Sequence, residues 1–194
     1  MTSNRWFNDV IIDCYMSLLS SRESPRLLTY TCSWFNTLFY CQNPDKPKVA
    51  LLHTEHRRRS WFDVQGNANY DFVIIPSSLL NAHFIVVVID LCLLCIYVCD
   101  SLLSAHNNTV SQVARYLYLK YFMSTGTAFD SSLLSYTNYC VWDKGFPKQV
   151  DAHSCGPYVC IMCKCIAENK LLRFTTVHSL HRTILHELLN SCIL

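Results

Sequence analysis

The stretch "AHFIVVVIDLCLLCIYVCDSL", Ala82–Leu102, decides how the chain folds. Its apolar centre, residues 84–99, reads either as a membrane segment or as a pair of buried strands. Spanning a bilayer takes about 20 apolar residues as a helix. This run is sixteen residues long and carries Asp90 near its middle, where a carboxylate is expensive in lipid. The Val/Ile enrichment instead suits two strands, 84–90 and 95–99, joined by a turn. Folded as an antiparallel hairpin, the two strands bring their outer ends together. His83 sits at the mouth of the first strand and Asp100 closes the second. The pair then lies within hydrogen-bond reach. A lone carboxylate after an apolar strand equally serves as a turn residue, so the combination carries more than either part.

Working outward, composition sets the frame. With 194 residues the chain is read as one domain, 1–194, large enough for a real core. Hydrophobic residues make up 51% and charged residues 15%, which excludes a disordered chain. A net charge of +2 is too mild to argue for nucleic acid, and the basic run Arg57–Arg58–Arg59 reads as a solvated loop. Twelve cysteines invite a disulfide scaffold. However, residues 1–8 are polar, Asp9 and Asp13 interrupt the apolar stretch that follows, and no secretory pattern emerges. Most of the cysteines lie inside apolar runs, where cysteine behaves as a small hydrophobe. The expectation is a reduced, intracellular protein of the nucleus and/or cytoplasm, with no membrane anchor.

Before the hairpin, residues 6–20 place Val10, Ile11, Cys14, Met16 and Leu18 in a helical stripe, with Asn8 or Asp9 as its cap. Residues 27–40 form a second helical candidate. Residues 71–76, "DFVIIP", read as a short buried strand ended by its proline. After the hairpin, residues 110–123 read as a helix, 139–142 as a last strand, and 156–170 and 176–189 as helices. Helices, then strands, then helices make an α+β fold.

A second stretch bears on chemistry: "QVDAHSCGPYVC", Gln149–Cys160. Proline is tolerated in the first turn of a helix, so Gly156-Pro157 opens one, with Tyr158, Val159, Ile161, Met162 and Ile166 as its apolar body. Cys155 then stands at the positive end of that helix, which favours a thiolate. It is either a nucleophile or one buried cysteine among twelve. A nucleophilic cysteine needs a base, a group that orients the base, and donors for the oxyanion. His53, His56 and His106 lie in polar loops and His178, His181 and His186 on the last helix; all six read as solvated. His153 is too close in the chain to Cys155 to reach back. His83, backed by Asp100, is the remaining base. Cys160 and Cys163 lie one helical turn apart, but within an apolar helix and without a second Cys/His pair, so no zinc site is expected.

Three segments together resemble the ubiquitin-like-protein-specific proteases, the Ulp/SENP (SUMO protease) family. They are "WFNDVIIDCYM" at residues 6–16, "DFVIIPSSLLNAHFIVVVIDLCLLCIYVCDSL" at 71–102, and "QVDAHSCGPYVC". The resemblance runs from Trp6 to about Ala167, in the family's order His, Asp, Gln, Cys. It implies a circularly permuted papain-like α+β fold with a central mixed or antiparallel sheet flanked by helices. It also implies Cys155 as nucleophile, His83 as general base, Asp100 as its orienting partner, and Gln149 with the Cys155 backbone N–H as oxyanion hole. Trp6 would cover the Gly-Gly tail of the substrate, Asp9 would support that edge, and Phe84 stands where the family has a tryptophan. The implied partner is a ubiquitin-like modifier, SUMO first, with its protein conjugates; no cofactor or metal is implied.

Two departures stand out. Ser154 replaces the aspartate common before the nucleophile, and only five residues precede Trp6, where the family has an upstream segment gripping the modifier. A protease for NEDD8 or ubiquitin, an acetyltransferase of the same clan, and a ubiquitin-like-protein-binding module remain as alternatives, because specificity lies in surface contacts away from the triad.

Overall fold

The computed structural model describes residues 7–21, 25–39, 59–79, 82–102, 104–137, 148–168 and 177–191. The elements in order are α1 (Asp9–Ser20), β1 (Leu27–Thr29), α2 (Cys32–Phe39), β2 (Phe72–Leu79), β3 (His83–Asp90), β4 (Cys95–Cys99), α3 (Asn107–Thr125), a 3-10 turn (Ser131–Leu133), β5 (Ser135–Thr137), α4 (Cys155–Ala167) and α5 (Val177–Ser191). The fold is α+β, with a five-stranded mixed sheet in the order β1-β2-β3-β4-β5. The two outer pairings are parallel and the β2–β3 and β3–β4 pairings antiparallel.

The hairpin at the centre forms as its composition demands. Val86 pairs with Cys99 and Asp90 with Cys95, so the register brings residues 83 and 100 to the same end. Asp90 shapes the turn: its Oδ1 accepts from the backbone N–H of Cys92 (2.9 Å) and Leu93 (2.8 Å). The turn then closes through Leu94 in the left-handed region, φ 50°. No helix among the described residues is long and apolar enough to cross a membrane.

Alternation along β3 divides the core in two. Phe84, Val86 and Val88 face α1, α4 and α5, together with Ile12, Tyr15, Met16, Tyr158 and Ile184. Ile85, Val87 and Ile89 face Phe35, Trp61 and the α3 residues Val113, Tyr116 and Leu117. Each fully buried side chain of this size contributes about 1.5–3 kcal/mol relative to exposure. The nucleophile candidate thus lies on one face of the sheet, at the start of α4.

Three readings need correction. The buried stripe of α1 is Ile12, Tyr15, Met16 and Leu19, with Val10 exposed; apolar residues occur all round this helix, and the true i, i+3, i+4, i+7 face is one of several that fit. Residues 27–40 are not one helix, because Leu27–Thr29 joins the sheet beside Phe72–Ile74. β2 runs through Pro76 to Leu79. β1 stops pairing at Ile74, so Pro76 sits where β2 has become an edge and its missing N–H removes no ladder bond. A short strand occurs at Ser135–Thr137, while the expected strand at 139–142 lies outside the described residues.

The last helix, α5, carries no motif but belongs to the core. Leu180 and Ile184 are buried, Tyr15 Oη donates to Glu187 Oε2 at 2.6 Å, and Lys164 of α4 pairs with Glu187.

Candidate active site

The strand end of β3 presents His83, and the first residue after β4 presents Asp100. His83 Nε2 donates to Asp100 Oδ1 at 2.6 Å. The Asp100 carboxylate is almost wholly enclosed, its side chain 2% exposed. An ionised carboxylate so placed must be matched by donors, and it accepts three more hydrogen bonds. Leu102 N–H reaches Oδ1 at 2.8 Å, Ser104 N–H reaches Oδ2 at 3.2 Å, and His106 Nε2 reaches Oδ2 at 2.8 Å. Burial alone would favour the neutral acid, but the bonds from His106, His83 and Leu102 outweigh it and hold Asp100 far below the usual carboxylate range. Burial likewise opposes a charged His83. The hydrogen bond to Asp100, with the Cys155 side chain adding to it, outweighs that opposition, and the His83 pKa is pushed up from 6.5 to about 9.

Cys155 is the first residue of α4 and is 1% exposed. The loop before it is held by Asp151. Its Oδ1 accepts from the N–H groups of His153 (2.9 Å) and Ser154 (2.8 Å), and its Oδ2 from Ser154 Oγ (2.7 Å). Ser154, which stands where the family's aspartate was expected, is therefore bonded to an aspartate three positions earlier. The glycine after Cys155 has a steric reason. A Cβ on Gly156 would lie 2.7 Å from Phe7 Cβ, so only glycine lets the segment before α1 pass this close to the helix start.

Gln149 is buried and tied to the hairpin side. Its N–H donates to the Ser101 carbonyl at 2.9 Å. Ser101 Oγ donates to Gln149 Oε1 at 2.7 Å, which sets the amide's direction, while Nε2 donates to the Asp151 carbonyl at 2.7 Å. The same Nε2 also reaches Asp151 Oδ1 at 3.5 Å, so both contacts of this amide nitrogen are to Asp151.

Asp9 and Phe84 line one cavity of about 390 Å³ together with Phe7, Asn8, Ser33 and Asn36. Asn8 is the cap of α1, accepting from Ile11 N–H at 3.0 Å, and Asp9 occupies the first turn. Trp6, the other residue expected at this edge, lies outside the described residues. Burial pushes the thiols of Cys32, Cys160 and Cys163 upward, which keeps them neutral. Among the described residues no group of three or more His, Cys, Asp or Glu is placed to hold a metal.

Three residues at the site escaped the sequence reading: Asp151, described above, His106 and Ser101. His106 was expected to be solvated; its side chain is 11% exposed and bonded to Asp100. Its six-residue spacing from Asp100 places it at the foot of α3, where a helix start turns it inward. Ser101 follows Asp100 directly, and only the pairing with Gln149, 48 positions away, reveals what it does.

The Ulp1 protease family, C-terminal catalytic domain, matches residues 5–189. The chain belongs to this family. Its match includes α5, beyond the last motif visible in the sequence. Among family relatives, Sentrin-specific protease 2 of Pongo abelii is 26% identical over 170 residues, and that of Homo sapiens 25% identical over the same length. Each alignment covers 88% of this chain and 27% of the relative, so the chain spans about a quarter of the length of the curated relatives it matches. Among solved structures, the C-terminal Ulp1 protease domain in complex with Smt3, the yeast ortholog of SUMO, superposes with a TM-score of 0.73 at 20% identity. It covers 100% of this chain and 80% of that one. The Ulp1 structure with its catalytic cysteine oxidised to a sulfonic acid gives 0.72 at 21%, covering 100% and 82%. These structures share the Ulp1 fold with this chain.

Proposed function

We propose that the chain is a single protease domain, 1–194, that cleaves after the C-terminal Gly-Gly of a ubiquitin-like modifier, SUMO first, in precursors, in conjugates or in both. The observation that carries this reading is the His83 ring. It is bonded at 2.6 Å to a buried carboxylate, and Asp100 together with the helix-terminal Cys155 pushes its pKa up to about 9. That is the state a thiolate–imidazolium pair requires. Family membership and the SUMO-bound Ulp1 neighbour favour SUMO over NEDD8, ubiquitin or an acetyl group.

The roles follow from chemistry. With Nε2 engaged by Asp100, Nδ1 of His83 is the nitrogen left for the sulfur. The Cys155 thiolate attacks the carbonyl of the terminal glycine. The oxyanion that forms takes hydrogen bonds from Gln149 Nε2 and the Cys155 N–H. His83 gives its proton to the departing lysine or peptide amine, leaving a thioester on Cys155. Water, deprotonated by His83, then releases the modifier. Trp6 and Phe84 would wall a slot that admits only glycine, and Asp9 would support its edge. The partners are the modifier and its conjugates, in an intracellular setting, and no cofactor enters any step.

The test is hydrolysis of C-terminal aminomethylcoumarin derivatives of SUMO, NEDD8 and ubiquitin. The expected result is the highest kcat/KM on the SUMO derivative. Preference for either of the others would move the assignment to that modifier. No hydrolysis of any, by folded protein, would contradict a protease role.

A further inference from the structure

We infer that His106 is a positioning residue of this site: by holding Oδ2 of Asp100 it fixes the carboxylate plane that aims Oδ1 at His83. The inference rests on the proposed protease reading for its kinetic consequence, but not for its geometry.

His106 immediately precedes α3, at its N-cap position. Such positions favour Ser, Thr, Asp or Asn, whose side chains bond back to the helix. The His106 side chain makes no such capping bond. Its ring turns instead to Asp100, with Nε2 2.8 Å from Oδ2 and its side chain largely enclosed. The bond to a carboxylate requires the proton on Nε2, since a carboxylate only accepts. The backbone carbonyl of His106 still begins the helix, accepting from Val110 N–H at 3.0 Å, so the ring is anchored on a rigid element.

The distribution of donors shows what the ring supplies. Oδ1 has two short bonds, from His83 and Leu102. Oδ2 has the His106 ring at 2.8 Å and only the longer Ser104 N–H at 3.2 Å. Without His106, the carboxylate is held firmly at one oxygen and weakly at the other, and it can rotate about its Cβ–Cγ bond. Such rotation tilts Oδ1 away from the His83 ring. Among the groups that lower the Asp100 pKa, the His106 bond ranks ahead of the His83 bond, in line with a strong second clamp. The ionisable groups in this chain of contacts are His106 from the start of α3, Asp100 after β4, His83 from β3 and Cys155 from α4.

The experiment compares wild type, His106→Ala and His106→Gln, the last keeping an N–H donor of similar reach. Two measurements are made: kcat and KM on the SUMO coumarin derivative, and the ring N–H resonance of His83 by 15N-resolved NMR at neutral pH. A charge-assisted bond of this kind leads us to expect about a 10- to 100-fold loss of kcat in His106→Ala with KM nearly unchanged. His106→Gln should recover most of it. The His83 N–H signal should be sharp in wild type and His106→Gln, and exchange-broadened in His106→Ala. Unchanged kcat and an unchanged His83 signal in His106→Ala would overturn the inference, as would equal damage in both variants. If wild type hydrolyses nothing while the His83 signal still depends on His106, the protease reading fails and the positioning role stands.

Discussion

The two halves of the site are built by different means. The His83–Asp100 half comes from one hairpin whose register is set by consecutive strands. The Cys155–Gln149 half comes from an irregular loop and a helix start, held by side chains that cap the backbone of residues 149–154. The first half gets its geometry from repeating backbone pairing; the second gets it from one aspartate, Asp151, and from Ser101 reaching across. In the proposed mechanism, proton chemistry is concentrated in the hairpin half, and transition-state hydrogen bonding in the loop half. The two meet where the Gln149 N–H bonds to the Ser101 carbonyl.

The largest expected effect breaks the hairpin half. Asp100→Asn keeps the shape but offers an N–H where His83 needs an acceptor, and kcat should fall by up to about 10⁴-fold, read by steady-state kinetics. Unchanged kcat would remove Asp100 from the mechanism. Next, Gln149→Ala breaks the loop half. Losing one oxyanion donor should lower kcat by about 10²- to 10³-fold while His83 still titrates near 9.

Ser101→Ala sharpens the link between the halves. It should lower kcat by about tenfold, the worth of one ordinary hydrogen bond, and have no further effect in a Gln149→Ala background. Additive losses would show that Ser101 acts by another route.

The hairpin was legible in the sequence because Val/Ile enrichment, the run's length and Asp90 all pointed to two strands and a turn. Placing His83 and Asp100 together needed only the parity of an antiparallel pair. Cys155 was legible through Gly156-Pro157, which marks a helix start. The supports were not. Ser101, Asp151 and His106 act through contacts that depend on how a loop or helix end is turned, and polar residues in polar stretches carry no periodicity. The α1 stripe was misread because too many faces of that helix are apolar. The β1 strand was missed because three residues are too few for a pattern.

The smallest expected effect concerns pH and stability. His83 rises from 6.5 unfolded to about 9 folded, so its contribution is complete below about pH 6.5 and lost as pH rises through 9. Asp100 is lowered from 3.8, so its contribution is present above that value and lost as pH falls below it. The pair therefore stabilises most between about pH 4 and 6.5. Thermal melts across pH 4–10 should show that maximum flatten in His83→Ala, while Asp151→Ala should lower the Tm by a few degrees without moving it.

The central claim is that Cys155 is the nucleophile of a protease for a ubiquitin-like modifier. The most direct test mixes the protein with SUMO, NEDD8 and ubiquitin carrying a C-terminal electrophile and maps the adduct by mass spectrometry. We predict a covalent adduct with the SUMO probe, located on Cys155 and absent in Cys155→Ala. An adduct on another cysteine, or no adduct on folded wild-type protein with any of the three probes, would contradict the claim.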